Sequence, residues 1–377
     1  MSAQSAAQID PRFAKRERQP GLDLLRAIAI VIVVFYHAGL FGFTLPGNVH
    51  RFGWVGVDLF FVLSGYLIGG QLLAQIARSG SISLGRFFAR RALRIMPAYF
   101  VVLAIYFSVP ALREYPEISP LWKFLLSVQN IGMRGGTAFS HAWSLAIEDQ
   151  FYLALPFLLL LVRGRAPTAT VVSCGIIIGG IALRWYLAKA NLTPTGVSFR
   201  AFQKLIYYAT WTRLDPLVFG AGVAAIQRFR PKLWALLANV GRWIWLPAVA
   251  LISIALWLGE SDQLTVTACV WQFPLIAIGM TGLLLWALDP HSLIAPVRIP
   301  SAAFFATVAY SVYLSHKLVI HFAIGLCSNW NLPLTTFTAH LLVQAMIYTA
   351  GTVLFLAIER PFLQLRKRLA PRASAAA

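Results

Sequence analysis

Apolar stretches of about 17 to 25 residues recur along the whole chain, separated by short segments that hold most of the charge. At 1.5 Å of rise per helical residue, each such stretch is long enough to cross a hydrocarbon core about 30 Å thick. The pattern predicts ten helices, over 22–43, 54–77, 94–112, 143–162, 169–188, 212–227, 243–258, 264–287, 302–326 and 336–358. The fold class expected is therefore all-α, a polytopic membrane helix bundle of about ten transmembrane helices. An even number of spans puts both termini on one side. Three parts follow: a polar, basic segment 1–20, a transmembrane domain 21–361, and a basic tail 362–377. No small-residue cleavage site follows the first apolar run, so that run is predicted to be a retained helix, not a signal peptide.

Composition sharpens the class. The 377 residues are 59% hydrophobic and 12% charged, about half the charged fraction of an ordinary soluble domain. The net charge of +19 raises nucleic acid as a partner, but the placement of the cations answers it. Taking the termini as inside, the outer segments hold Arg51, Arg113, Lys123, Arg134, Lys189, Arg200 and Lys204. The inner segments hold about three times as many cations, among them Arg12, Lys15, Arg16, Arg18, Arg298 and Arg372. That bias sets both termini in the cytoplasm and absorbs most of the charge, so no nucleic-acid partner is expected. Cys174, Cys269 and Cys327 are odd in number and scattered, giving neither a disulfide framework nor a metal site. Past the tenth helix only the tail RPFLQLRKRLAPRASAAA follows, which predicts that no soluble catalytic domain is fused.

The polar residues inside the spans carry the candidate chemistry. Arg26 and His37 are eleven positions apart, about 20° past three full turns, so they share one face of the first helix with a rise of roughly 16 Å between them. One stripe then presents a cation to the inner side and an acid/base group to the outer side. A positive-inside anchor and an interfacial ring fit the same two positions. Asp58 lies about one turn inside the outer end of the second span, where a carboxylate must face protein or water. Ser64, Gly65, Gly69 and Gly70 make a small-residue strip suited to close helix packing, with Ser64 a secondary candidate nucleophile. Glu148, in HAWSLAIEDQFY, has a similar outer depth. His37, Asp58 and Glu148 are thus expected to meet, a carboxylate orienting the histidine as a general base, with Asp149 the alternative contact.

At the inner boundary, GRFFARRALRIMPAY places Arg90, Arg91 and Arg94 in a loop just before the third span. Such a run is ordinarily topogenic, yet with Arg26 at the same level it is basic enough for a polyphosphate ligand. Arg213 and Asp215 are expected to pair with each other, as are Glu359 and Arg360. His316 and Lys317 lie deeper, with no evident partner for the lysine.

Six segments, RAIAIVIVVFYH, GVDLFFVLSGYLI, RRALRIMPAY, WSLAIEDQFYL, RLDPLVFGAGVAA and AYSVYLSHKLVI, resemble in order the signature segments of the acyltransferase-3 family of integral membrane acyltransferases. The resemblance runs from Gly21 to Pro361. It implies a multi-pass enzyme of the bacterial inner membrane that moves an acyl group, often acetyl, from cytosolic acyl-coenzyme A to a hydroxyl of an extracytoplasmic or lipid-linked glycan. The resemblance carries over to Arg26, His37, Glu148, Arg91 and Arg94: the three arginines would hold the donor and His37 would be the general base, oriented by Glu148 or, on the depth argument above, by Asp58. The donor acyl-coenzyme A is a substrate; no permanently bound cofactor and no metal are expected. The chain departs from the pattern at Ala146, Ile147 and Asp149, keeping both acids, and at Ser315 and Lys317, where an aromatic and a tryptophan are usual. The hydrolase-like domain fused to some relatives is missing from the pattern, so the acceptor would be delivered by the membrane domain or by a separate extracytoplasmic partner protein. Two other functions fit the same residues: acyl transfer to a small-molecule hydroxyl, and non-enzymatic transport or flipping of a lipid-linked sugar.

Overall fold

The structure, a computed structural model, describes residues 19–44, 46–163, 165–260, 263–294 and 299–368. Arg12, Lys15, Arg16, Arg18, Arg298 and Arg372 lie outside the described residues, as do most of the basic N-terminal segment and the end of the tail. The helices are α1 (Pro20–Leu40), α2 (Gly56–Ser79), α3 (Leu84–Ser108), α4 (Leu121–Leu125), α5 (Trp143–Leu161), α6 (Ala166–Ala190), α7 (Phe199–Ala201), α8 (Asp215–Phe229), α9 (Pro231–Gly241), α10 (Trp245–Leu258), α11 (Val266–Leu288), α12 (Pro300–Asn329), α13 (Phe337–Leu354) and α14 (Arg360–Arg368). The chain is an all-α polytopic membrane bundle. All ten predicted helices have counterparts, and among the described residues eight helical segments are long and apolar enough to cross a membrane. The other two counterparts, α8 and α10, have 15 and 14 residues, roughly 21 to 23 Å of helix, so they are short for a full crossing.

Local chemistry explains several helix starts. Proline opens α1 and α12, where its missing N–H costs nothing and its fixed φ suits the first turn. Thr265 and Thr336 cap α11 and α13 by accepting from the N–H groups of Ala268 and Ala339 at 3.0 and 3.2 Å. The third helix departs from its predicted start. It begins at Leu84, not near 94, so Arg86, Arg90, Arg91 and Arg94 project from its first turns instead of lying in a loop. Buried Phe87 docks that basic stretch against the bundle, which keeps it helical despite its charge.

Helix α1 stands between two apolar clusters. One gathers side chains of α3, α5, α12 and α13, the other those of α8 and α11, and α2 contributes to both. Helices α2 and α8 approach closely. A Cβ on Gly65 would strike the backbone of Leu217, one on Gly220 would strike the Val62 carbonyl, and one on Gly69 would come within 3.1 Å of Ala221 Cα. Small residues here let two backbones meet, which is how membrane helices gain packing energy without a solvent-driven hydrophobic term. By contrast α6 buries almost none of its apolar span, as expected of a helix at the bundle's lipid-facing edge.

Two buried ion pairs tie α2, α6 and α8 together, and they correct the expected Arg213–Asp215 pairing. Arg213 Nη2 donates to Asp58 Oδ2 at 3.0 Å and lies 3.0 Å from Oδ1. Asp215 instead meets Arg184 Nη2 at 2.7 Å, while Arg184 Nη1 donates to the Thr212 carbonyl at 2.6 Å. Residues two apart at a helix start do not face each other, so each finds its partner on a neighbouring helix. The Arg213 guanidinium also lies 3.9 Å from the centroid of the Phe273 ring. The Glu359 carboxylate likewise takes a different partner, accepting from Ser311 Oγ at 2.8 Å.

Candidate active site

A cavity of about 980 Å³ opens among the ends of α1, α2, α3, α8 and α14. These are the helix ends that the charge pattern assigns to one side. Its mouth carries Arg26, Arg78, Arg86, Arg90, Arg91, Arg94, Arg228, Arg366 and Lys367, against the acids Asp23, Glu148 and Asp149. A cationic excess in one walled cleft focuses an attractive field on a polyanion. Further in, the lining becomes largely apolar and aromatic, with Phe60, Phe61, Leu145 and Tyr310, and it ends near Ser144 and Tyr313. The cavity thus combines a cluster of cations with an apolar and aromatic wall.

On one wall of the cavity a short polar chain joins three side chains. Tyr152 donates to Glu148 Oε2 at 3.0 Å, and the Tyr152 hydroxyl is hydrogen-bonded to Ser64 Oγ. Arg91 lies over the Tyr152 ring, 4.9 Å from its centroid. Asp149 points elsewhere, accepting from Ser127 Oγ at 2.9 Å.

His37 does not line this cavity. It belongs to a cluster of three histidines, its ring centroid 4.8 Å from His316 and 6.3 Å from His141, with His141 and His316 4.7 Å apart. His37 Nδ1 lies 2.9 Å from the Val33 carbonyl, and His316 Nδ1 lies 2.7 Å from that of Tyr313. A carbonyl can only accept, so each Nδ1 carries the proton and each Nε2 is left with a lone pair. His141 is the reverse: its Nε2 faces the Leu314 carbonyl at 3.3 Å and its Nδ1 has no partner among the described residues. His141 and His316 are 2% and 0% exposed, whereas His37 is half-buried. Of the three basic nitrogens, the one on His37 thus belongs to the least buried ring. Among the described residues no group of three His, Cys, Asp or Glu has metal-holding geometry.

Tyr313 connects the two halves of the site. It lines the end of the cavity, and its ring lies 5.5 Å from His141 and 5.6 Å from His316. Its hydroxyl is fastened to Ser144 Oγ and to the His141 carbonyl, both at 2.7 Å.

Of the residues singled out in the sequence, Arg26, Arg91, Arg94 and Glu148 come together in one cavity. The expected constellation of His37, Asp58 and Glu148 does not form. The carboxylate of Asp58 is taken by Arg213 and that of Glu148 by Tyr152, and the hydrogen bond described for His37 is to a backbone carbonyl. Equal depth along separate helices does not specify which faces meet. The partners that His37 does have, His141 and His316, were legible as residues but not as neighbours. His141 opens the same stretch that carries Glu148 and Asp149, and helix pairing alone decides the contact.

Fold and cavity together define an integral membrane protein with a basic cleft whose inner lining includes Tyr313, a neighbour of the histidine cluster. The chain belongs to the acyltransferase-3 family: residues 19–358 match the family described as an acyltransferase domain. It is similar to the O-acetyltransferase OatA of Staphylococcus aureus (strain NCTC 8325 / PS 47), 26% identical over 352 residues, covering 87% of this chain and 55% of that protein. It is also similar to the putative O-acetyltransferase SAS0844 of Staphylococcus aureus (strain MSSA476), 28% identical over 339 residues, covering 82% of this chain and 52% of that protein. The chain therefore spans about half the length of the curated relatives it matches. No solved structure matches it.

Proposed function

We propose that this protein transfers an acyl group, acetyl in the first instance, from acyl-coenzyme A to a hydroxyl group of a glycan on the far side of the membrane. The observation that carries this reading is the cavity itself, which combines a cluster of cations with an apolar and aromatic wall that includes Tyr313, a neighbour of the histidine cluster. Coenzyme A has a matching shape and polarity, a phosphate-rich nucleotide end and a slender pantetheine arm. Arg26, Arg91 and Arg94 would hold the phosphates through charge-assisted hydrogen bonds. The arm would follow the apolar wall toward Tyr313, bringing the thioester up to the histidines.

In the transfer step His37 Nε2 accepts the proton of the acceptor hydroxyl while that oxygen bonds to the thioester carbon. The carbon–sulfur bond then breaks, and the proton passes from His37 to the departing thiolate, so the base is regenerated and no net proton is consumed. The bond from Nδ1 to the Val33 carbonyl supports this role, because it fixes the tautomer that leaves Nε2 basic. Glu148, linked to Tyr152 and Ser64 in the cavity wall, acts in this scheme on the donor side and not as the orienter of His37. The OatA and SAS0844 names support oxygen as the acceptor atom and acetyl as the group.

The test is acetyl transfer from radiolabelled acetyl-coenzyme A in inside-out vesicles with cell-envelope glycans as acceptors. Wild type should label the glycan. His37→Ala should retain coenzyme A binding and lose transfer, whereas Arg26→Ala should weaken coenzyme A binding. Full transfer by His37→Ala would remove the proposed base.

A further inference from the structure

One face of α2 lines the cavity along nearly the whole length of the helix. Val57, Phe60, Ser64, Gln71, Gln75 and Arg78 all belong to that lining, and steps of three, four and seven residues are those of a single helix face. From Val57 to Arg78 the lining extends roughly 31 Å. Phe60 lies near one end, its ring 6.5 Å from that of Tyr313. Ser64 is hydrogen-bonded to Tyr152, over whose ring Arg91 lies, so Arg91 belongs at an intermediate level. Gln71 and Gln75 follow, roughly 10 and 16 Å beyond Ser64, and Arg78 ends the series.

The donor scheme above does not use these glutamines, and a third stands beside them. Gln227 of α8 lines the same cavity. Helices α2 and α8 pair in step, Gly65 with Leu217, Gly69 with Ala221 and Gly70 with Ala224, so Gln227, one turn past Ala224, is level with Ala74. Tyr66 donates to Gln227 Oε1 at 2.8 Å, which leaves the two N–H donors of that amide for a ligand. Between the three amides the cavity wall is made of Gly70, Ala74 and Ala224. Within 4 Å, a Cβ on Gly70 would meet only the Ala224 methyl, at 3.7 Å. The space in front of the two helices is therefore open to a flat ring.

A wall of small residues edged by amides fits a purine better than it fits a phosphate. The base lays its face on the apolar wall. Its ring nitrogens accept from amide N–H groups, and its exocyclic amine donates to an amide oxygen, the two-point match that glutamine makes with adenine. The level agrees as well. In coenzyme A the adenosine lies beyond the pyrophosphate as seen from the thioester, and here the amides lie beyond Arg91 as seen from Tyr313.

We infer that Gln71, Gln75 and Gln227 form a nucleobase subsite in the donor cavity, with Tyr66 positioning Gln227, and that this subsite selects a thioester of an adenine nucleotide. This rests on the acyl-transfer reading above. It adds that the edge of the base, as well as the phosphates, decides which donor is accepted. None of the four residues exchanges a proton or an acyl group.

The experiment uses the full chain in proteoliposomes with cell-envelope glycans and three radiolabelled donors. These are acetyl-coenzyme A, its hypoxanthine analogue, in which oxygen replaces the exocyclic amine, and acetyl-phosphopantetheine, which keeps the arm but lacks the nucleoside. Wild type should prefer the adenine donor to the hypoxanthine donor by about tenfold or more in kcat/KM. Gln71→Leu and Gln227→Leu should each raise the acetyl-coenzyme A KM by about tenfold and reduce that preference to about twofold. Tyr66→Phe removes only a hydroxyl and should move both readouts the same way by a smaller factor, about threefold. Because the first comparison uses wild type alone, a variant that misfolds does not shield the proposal. Equal use of the two bases by wild type would overturn the subsite. So would an equal rise in KM for acetyl-coenzyme A and acetyl-phosphopantetheine in the glutamine variants, since the amides would then hold the arm. No transfer from any of the three donors would instead overturn the acyl-transfer reading on which the subsite depends.

Discussion

His37 and His316 face each other with ring centroids 4.8 Å apart and planes inclined by 55°, and each is turned by an Nδ1–H bond to a backbone carbonyl of its own helix. The two bonds set the tautomers, so two basic Nε2 atoms belong to one buried cluster. His37→Ala deletes the base of the proposed reaction and should lower the transfer rate by roughly 10²- to 10⁴-fold, with binding of labelled coenzyme A unchanged. His316→Ala leaves that base but removes the ring against it, and should cost less, on the order of tenfold. Steady-state transfer assays on both variants check the order; an equal or larger loss for His316 would shift the base to that residue.

The arginines at the cavity mouth should act on donor affinity. Hydrogen bonds to a charged group contribute about 1.5 to 3 kcal/mol each, so Arg26→Ala, Arg91→Ala or Arg94→Ala should raise the acetyl-coenzyme A KM by roughly 10- to 100-fold. Added salt should weaken donor binding in wild type more than in the variants, since each variant lacks one screened charge. An unchanged KM in all three would mean that the basic mouth is topogenic only.

Asp58 should behave as a structural residue. Breaking a buried ion pair by removing one partner costs about 3 to 5 kcal/mol, and Arg213 would be left uncompensated beside Phe273. Asp58→Ala should therefore aggregate on mild heating in detergent, followed by size-exclusion chromatography, and a paired Asp58→Leu/Arg213→Leu variant should recover most of the loss. A fully stable but inactive Asp58→Ala protein would return the residue to the catalytic set.

The α2–α8 contact offers a control within one helix. Gly220→Leu must push its side chain into the Val62 carbonyl, while a Cβ on Gly222, two residues along, meets nothing within 4 Å. Overpacking of this kind costs roughly 1 to 3 kcal/mol or more. In the same heating assay Gly220→Leu should fail several degrees earlier, and Gly222→Leu should match wild type.

Much of the site's inventory is legible in the sequence, and the reasons are local. Arg26 and His37 share a stripe because helical periodicity alone decides it, and Arg91 and Arg94 stood out as a basic run at a membrane boundary. Asp58 and Glu148 stood out by their cost in hydrocarbon, but cost says only that a partner exists, not which one. The Arg213–Asp215 expectation failed for a related reason: nearness in sequence at a helix start is not nearness of side chains. The early start of α3 does not show in hydropathy because its first turns are charged, and a hydropathy pattern counts only what lies in the hydrocarbon.

By itself, then, the amino-acid order determined the all-α membrane class, the ten helical segments and the membership in a family of acyltransferases. Each of these follows from hydrophobic length or short motifs, and none needs a contact between distant residues. The tertiary structure alone decided that Asp58 belongs to Arg213, that Glu148 lines the cavity, that three histidines from α1, α12 and the start of α5 meet, and that Lys317 stands beside Glu114. Those choices depend on the rotation and register of each helix against its neighbours, which are set by side-chain packing across the bundle, as where Gly65 and Gly220 let α2 and α8 touch.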